Sequence, residues 1–128
     1  MKKIGAKYCS LLPIDITENT ARHFFARFWG REDVYAKRSV SKKTGKAGYF
    51  PQCDNLWHYG VCPKADKVKI QCGKCENQSY SKLGIAQIIG HLKGERADGS
   101  DVIGVYPLLP DDTCRFIVFD FDNHEKGA

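Results

Sequence analysis

Apolar positions recur with a helical period near the start of the chain. Ala21, Phe24, Phe25 and Phe28 fall at i, i+3, i+4 and i+7, which places them on one face of a helix. Thr17-Glu18-Asn19-Thr20 supplies its start signal, and Gly30 is expected to end it. From Val34 to Tyr49 the helical period is lost, and the pattern predicts short strands around a turn at Lys43-Thr44-Gly45-Lys46. Residues 51–79 carry Pro, Gly, Asn and Lys with little periodic apolar pattern. A second helix is expected next, capped by Ser81, with Ile85, Ile88, Ile89 and Leu92 on one face and Gly94 at its end. The remainder reads as a hairpin. One strand is Val102–Tyr106, the other is Arg115–Asp122, and Pro110-Asp111-Asp112-Thr113 is the turn between them. The second of these strands is apolar on both faces until Asp120, so it is expected at the centre of a covered sheet. Helix, strands, cysteine-rich insert, helix and strands in that order predict an α+β fold with a small mixed or antiparallel sheet.

The length, 128 residues, suits a single domain, and 42% apolar with 27% charged residues is ordinary for a globular chain. No apolar run approaches the roughly 20 residues that span a bilayer. Leu11-Leu12-Pro13-Ile14-Asp15 is too short and too broken for a signal peptide, so the expectation is a cytoplasmic protein with no membrane partner. Charge is unevenly spread over the net +5. Residues 1–80 hold 15 Lys/Arg against 7 Asp/Glu, whereas residues 81–128 hold 5 against 8. A basic first part favours a polyanion such as nucleic acid, and an acidic end favours a cation. Lys37, Arg38, Lys42, Lys43 and Lys46 lie in a stretch without acids and are the candidate phosphate contacts. Tyr35, Tyr49, Phe50 or Trp57 would stack on bases, or pack into the core instead.

Six cysteines without a secretion signal point to metal rather than disulfides. The spacing is Cys53-x8-Cys62-x9-Cys72-x2-Cys75. Cys72-Gly73-Lys74-Cys75 is a knuckle whose glycine lets both sulfurs turn toward one ion. Zinc takes four ligands in a tetrahedron and accepts thiolates, so these cysteines are the candidate zinc ligands, with His58 as a substitute. Lys64, Lys67, Lys69 and Lys74 would offset the charge of a tetrathiolate. Residues 51–79 are thus expected to be organised by the ion rather than by a core of their own. Cys9 and Cys114 read as ordinary residues, Cys114 as a small hydrophobe opening an apolar strand.

Asp120-Phe121-Asp122 is the other candidate centre. On a strand, residues i and i+2 share a face, so both carboxylates would project together with Phe121 packed behind them. Paired carboxylates repel unless a cation sits between them, and hard oxygen ligands suit Mg²⁺ or Mn²⁺. Such a pair serves nucleotide-joining chemistry by holding divalent ions at the attacking hydroxyl and the leaving pyrophosphate. An Asp inside an apolar run is also costly unless something pairs with it.

Gly30-Arg31-Glu32-Asp33-Val34-Tyr35-Ala36, Gly48–Pro51, the four cysteines, and Tyr106-Pro107-Leu108-Leu109-Pro110-Asp111-Asp112-Thr113-Cys114 running on to Asp122 resemble one family. It is the archaeo-eukaryotic primase domain of the TOTE conflict systems, and the resemblance runs from about residue 20 to the C-terminus. It implies that Asp120 and Asp122 are the first catalytic, metal-binding motif and that residues 51–79 are a zinc-binding portion. It further implies an RRM-like catalytic core, of which residues 1–128 form an N-terminal part, and a superfamily 2 helicase domain in the same longer protein. The family's later motifs are a phosphate-contacting histidine and a third acidic ligand. His124 lies too close to Asp122 to be that histidine, so the expectation is a primase fragment inactive by itself. Its partners would be single-stranded DNA or RNA and nucleotides. The alternative is a zinc-stabilised module that grips nucleic acid without chemistry. A metal-dependent nuclease is disfavoured, because no further Glu or Lys follows Asp122 at nuclease-like spacing.

Overall fold

The structure is a computed structural model, and it describes residues 15–121. Helix α1 spans Glu18–Arg27. Its start is held by a reciprocal pair of hydrogen bonds. Thr17 Oγ1 accepts the Thr20 N–H at 3.3 Å, and Thr20 Oγ1 accepts the Thr17 N–H at 2.8 Å. This is a capping box closed by Thr where Glu or Gln is usual. Arg22 and Glu18 pair at 2.6 Å on the solvent side, where such a pair contributes little.

Strands β1 (Ala36–Val40) and β2 (Ala47–Pro51) form an antiparallel hairpin, in register from Ala36 opposite Pro51 to Val40 opposite Ala47. Gly45, at φ 68°, closes the loop by donating its N–H to Ser41 O at 2.8 Å. Pro51 is tolerated because β2 is an edge strand. Helix α2 (Ile85–Lys93) ends at Gly94, whose left-handed backbone (φ 58°, ψ 39°) lets its N–H reach Gly90 O. Strand β3 (Ile103–Gly104) pairs antiparallel with the other edge of β1, giving the order β2-β1-β3. The core lies between the helices and the sheet. Ala21 and Ile88 are buried at the helix contact, with Tyr35 and Leu83 beside them and Phe24, Phe25, Ile103 and Val105 packed around. No helix among the described residues is long and apolar enough to cross a membrane.

The α+β class and the small antiparallel sheet are as the pattern implies, but several expectations need correction. Helix α2 is capped at Gly84, not Ser81: Gln87 Oε1 accepts the Gly84 N–H at 3.0 Å. Ser81 Oγ is drawn away to Asp54 Oδ1 at 2.7 Å, a partner the local sequence does not reveal. The turn after Leu109 forms, with Asp112 N–H donating to Leu109 O and Leu109 N–H to Thr113 O. The hairpin does not. Arg115–Phe121 belongs to no sheet, and the central strand is β1. Phe116 packs edge-on to Phe28 at 6.0 Å, and the Arg115 guanidinium lies 3.5 Å from the centre of the Trp29 ring. Beyond that anchor Ile117, Val118, Phe119 and Phe121 are exposed, Phe121 by 90%. Among the described residues no strand lies beside this segment to take up its hydrogen bonds.

The family-like run from Gly30 to Ala36 turns out to be architectural. Gly30 is buried, and a Cβ there would collide with the carbonyl oxygen of Tyr106. Arg31 N–H donates to the same oxygen at 2.9 Å, and Leu83 N–H donates to Glu32 O at 2.8 Å. The run therefore ties α1 to both later parts of the chain. Gly30→Ala is expected to lower unfolding free energy by about 1–3 kcal/mol, because the obstacle is backbone and cannot rotate aside. Gly45→Ala, at a left-handed position with open space around it, should cost only about 1–2 kcal/mol. Urea unfolding of the two variants checks this, and a Gly30→Ala protein as stable as the parent would show that the contact gives way.

Candidate metal and nucleic-acid sites

Residues 53–80 form turns whose two ends are pinned to each other just beyond β2. Cys53 bridges Tyr80, Asp54 N–H donates to Ser79 O at 2.8 Å, and Gln52 N–H donates to Tyr35 O at 2.9 Å. Within these turns Cys53, Cys62, Cys72 and Cys75 all line one cavity of about 20 Å³, room for a single small ion or water. His58 is exposed and does not line it. Hydrogen bonds aim at the sulfurs. Lys64 Nζ donates to Cys72 Sγ at 3.0 Å, and Ser79 N–H donates to Cys53 Sγ at 3.4 Å. The Cys62 thiol is held below its ordinary pKa, first by the Trp57 N–H, then by those of Lys64 and Ala65 and by the Lys64 charge, against the opposing effect of burial. Donors of this kind favour the thiolate, the form that binds metal.

Two geometric facts pull apart here. The four thiols share one cavity, yet among the described residues no three Cys, His, Asp or Glu side chains converge closely enough to hold an ion. The second fact decides what this structure contains, which is not a closed ligand set. The first says only that these four side chains share one lining.

Cys114 is exposed rather than packed in a strand, and Cys9 lies outside the described residues. Asp120 is exposed on the extended Arg115–Phe121 segment, so the burial cost that singled it out does not apply, and Phe121 does not pack behind it. Phe119 and Phe121 stack at 6.4 Å with their planes 16° apart, the same-side placement of i and i+2 side chains. Asp122 lies outside the described residues.

The basic stretch divides. Lys42, Lys43 and Lys46 are exposed at the tip of the β1–β2 hairpin, whereas Lys37 and Arg38 are half-buried on β1. Arg38 reaches the Asp98 carbonyl at 2.8 Å. Among the described residues the ion pairs are Arg22–Glu18 and Arg31–Asp33, so none of these five cations is held by a carboxylate. Of the aromatic candidates, Tyr35 belongs to the core, while Tyr49, Phe50 and Trp57 are exposed by 54%, 49% and 62%. Lys64 is the residue that sequence reasoning undervalued. It reads only as one of four charges near the cysteines, but it touches Cys72 and also lines a groove beside β1. Its position directly after Cys62-Pro63 was the available signal.

These features define a small α+β domain with a cysteine-lined insert and a basic hairpin. The family model for the TOTE conflict system, Archaeo-Eukaryotic Primase domain, matches residues 19–128, and the chain belongs to that family. Its function is accordingly primase-like and concerned with nucleic acid. Neither a curated protein nor a solved structure matches the chain.

Proposed function

We propose that this chain is the N-terminal part of a primase-polymerase domain that binds single-stranded nucleic acid, and divalent metal for template-directed nucleotide addition. The family match over residues 19–128 carries this reading. Asp120 and Asp122 are its catalytic pair, holding Mg²⁺ or Mn²⁺ together with a further acidic ligand from downstream sequence. The exposed apolar segment from Ile117 to Phe121 supports this, since it is suited to become an inner strand once a neighbour supplies a ladder. Two carboxylates alone hold Mg²⁺ weakly, so residues 1–128 by themselves do not add nucleotides. The wider protein places a helicase domain after the primase.

Zinc at Cys53, Cys62, Cys72 and Cys75 is the second part of the reading, with residues 51–79 as the zinc-binding insert. What supports it is four sulfurs lining one ion-sized cavity, an ammonium against one of them and backbone N–H groups on two, although the four do not converge into a closed ligand set. When bound, zinc supplies no chemistry here; it fixes the turns of the insert against β1 and β2.

The hairpin-tip cations are the test of nucleic-acid binding. Replacing Lys42, Lys43 and Lys46 by Glu reverses three exposed charges and is expected to weaken binding of every single-stranded sequence alike, with a shallower dependence on salt. Fluorescence anisotropy at several salt concentrations measures both. Unchanged affinity and slope would move the binding surface elsewhere. The alternative, a zinc-stabilised binding module without catalysis, is favoured by the exposure of Asp120 and separates from the first reading by the primer-extension experiment discussed below.

A further inference from the structure

A groove of about 400 Å³ runs between β1, β2 and the cysteine-rich insert, within the range of about 300–1,000 Å³ usual for small-ligand sites. Lys37, Arg38 and Lys64 contribute its charge, Phe50 and Trp57 its aromatic surface, and no Asp or Glu lines it. Lysine and arginine side chains on a groove without acids complement a polyanion. Exposed aromatic rings in such a groove complement flat bases, which stack on them whatever their sequence.

Trp57 is the sharpest feature. It is 62% exposed and sits at φ 64°, a left-handed backbone that Asn or Gly would hold more easily. Core packing does not account for a bulky ring in that position. The groove also adjoins the cysteine cavity. Leu56, Lys64 and Cys72 line both, and Lys64 joins them through its 3.0 Å contact with Cys72.

We propose that this groove is a single-strand binding site in which a base stacks on Trp57, with Phe50 as a second platform and Lys37 and Arg38 on the phosphates. The proposal rests on the nucleic-acid-binding reading above and localises it away from the hairpin tip, whose Lys42, Lys43 and Lys46 do not line the groove. In it the tip cations attract the strand over a distance, and the groove sets the contact.

Titration of the full chain with oligo-dT and with oligo-U, each about ten nucleotides long, tests the idea and distinguishes DNA from RNA. Tryptophan emission should be quenched on binding, and Trp57→Phe should remove most of the quench while keeping most of the affinity. Trp57→Asn suits the local backbone, so it should fold as well as the parent yet bind about tenfold more weakly. Phe50→Ala should also weaken binding. The triple Lys→Glu tip variant should bind more weakly but reach the same quench at saturation. If the parent binds neither oligonucleotide, both this proposal and the broader reading fall. If the parent binds and the tip variant weakens, but Trp57→Asn binds normally, the groove proposal alone falls. Equal quenching by a single free nucleotide and by the oligomers would likewise overturn a strand-binding groove.

Discussion

With zinc held by Cys53, Cys62, Cys72 and Cys75 as proposed, Cys72→Ser is expected to release it and to destabilise the insert by several kcal/mol, on the order seen when a structural metal site is lost. The reason is how little else orders residues 51–79. Cys62 is the only residue among them buried in the core sense; the rest is turns closed by short-range hydrogen bonds such as Cys62 N–H to His58 O and Val68 N–H to Pro63 O. Losing the ion would leave four thiols around a cavity with nothing to draw them together. Elemental analysis of the purified chain should find one zinc per molecule, and none bound tightly in Cys72→Ser. Cys114→Ser, at an exposed position away from the cavity, and Cys9→Ser should keep both the metal and the stability. A parent protein that proves metal-free, or that stays folded in strong chelator, would remove zinc from the account. The same chelation should weaken single-strand binding, because Lys64 and Cys72 are shared by the cysteine cavity and the groove.

The second large effect concerns the carboxylates. In a polypeptide that carries this chain together with the downstream motifs of a primase domain, Asp120→Ala or Asp122→Ala should lower nucleotide addition by about a thousandfold or more. Metal ions at the reacting oxygens contribute several kcal/mol to the transition state, and each 1.4 kcal/mol or so is a factor of ten in rate. Zinc content and thermal stability should stay at parent values, since Asp120 is exposed and takes part in none of the hydrogen bonds that hold the described fold. Residues 1–128 alone should show no primer extension. Activity at the normal rate in the double Ala variant would leave the pair without a catalytic role and favour the non-catalytic binding module.

The elements whose cause is local were legible in the chain. Helix α1 announces itself through Thr17, Thr20 and the spacing of Ala21, Phe24, Phe25 and Phe28, because caps and apolar period act within a few turns. The β1–β2 hairpin follows from its turn residues, and the end of α2 from a glycine that alone takes the left-handed backbone without strain. The family, too, was carried by short runs such as Tyr106–Cys114, which lie within the match over residues 19–128.

What only the tertiary structure decided involves partners far apart in sequence. Ser81 looked like a cap until Asp54, 27 residues earlier, took its hydroxyl. Gly30 read as a helix stop, whereas its lack of a side chain is required by the Tyr106 carbonyl. Arg115–Phe121 has the composition of an inner strand, but a strand is completed by its neighbours' hydrogen bonds, and among the described residues β1 takes the central place between β2 and β3. The spacing of Cys53, Cys62, Cys72 and Cys75 named the candidate ligands; only the folded turns bring all four to one cavity and set Lys64 between it and the groove. Composition and period act along the chain, while a site is made by segments that meet through space, and loop closure leaves no periodic trace of which segments those are.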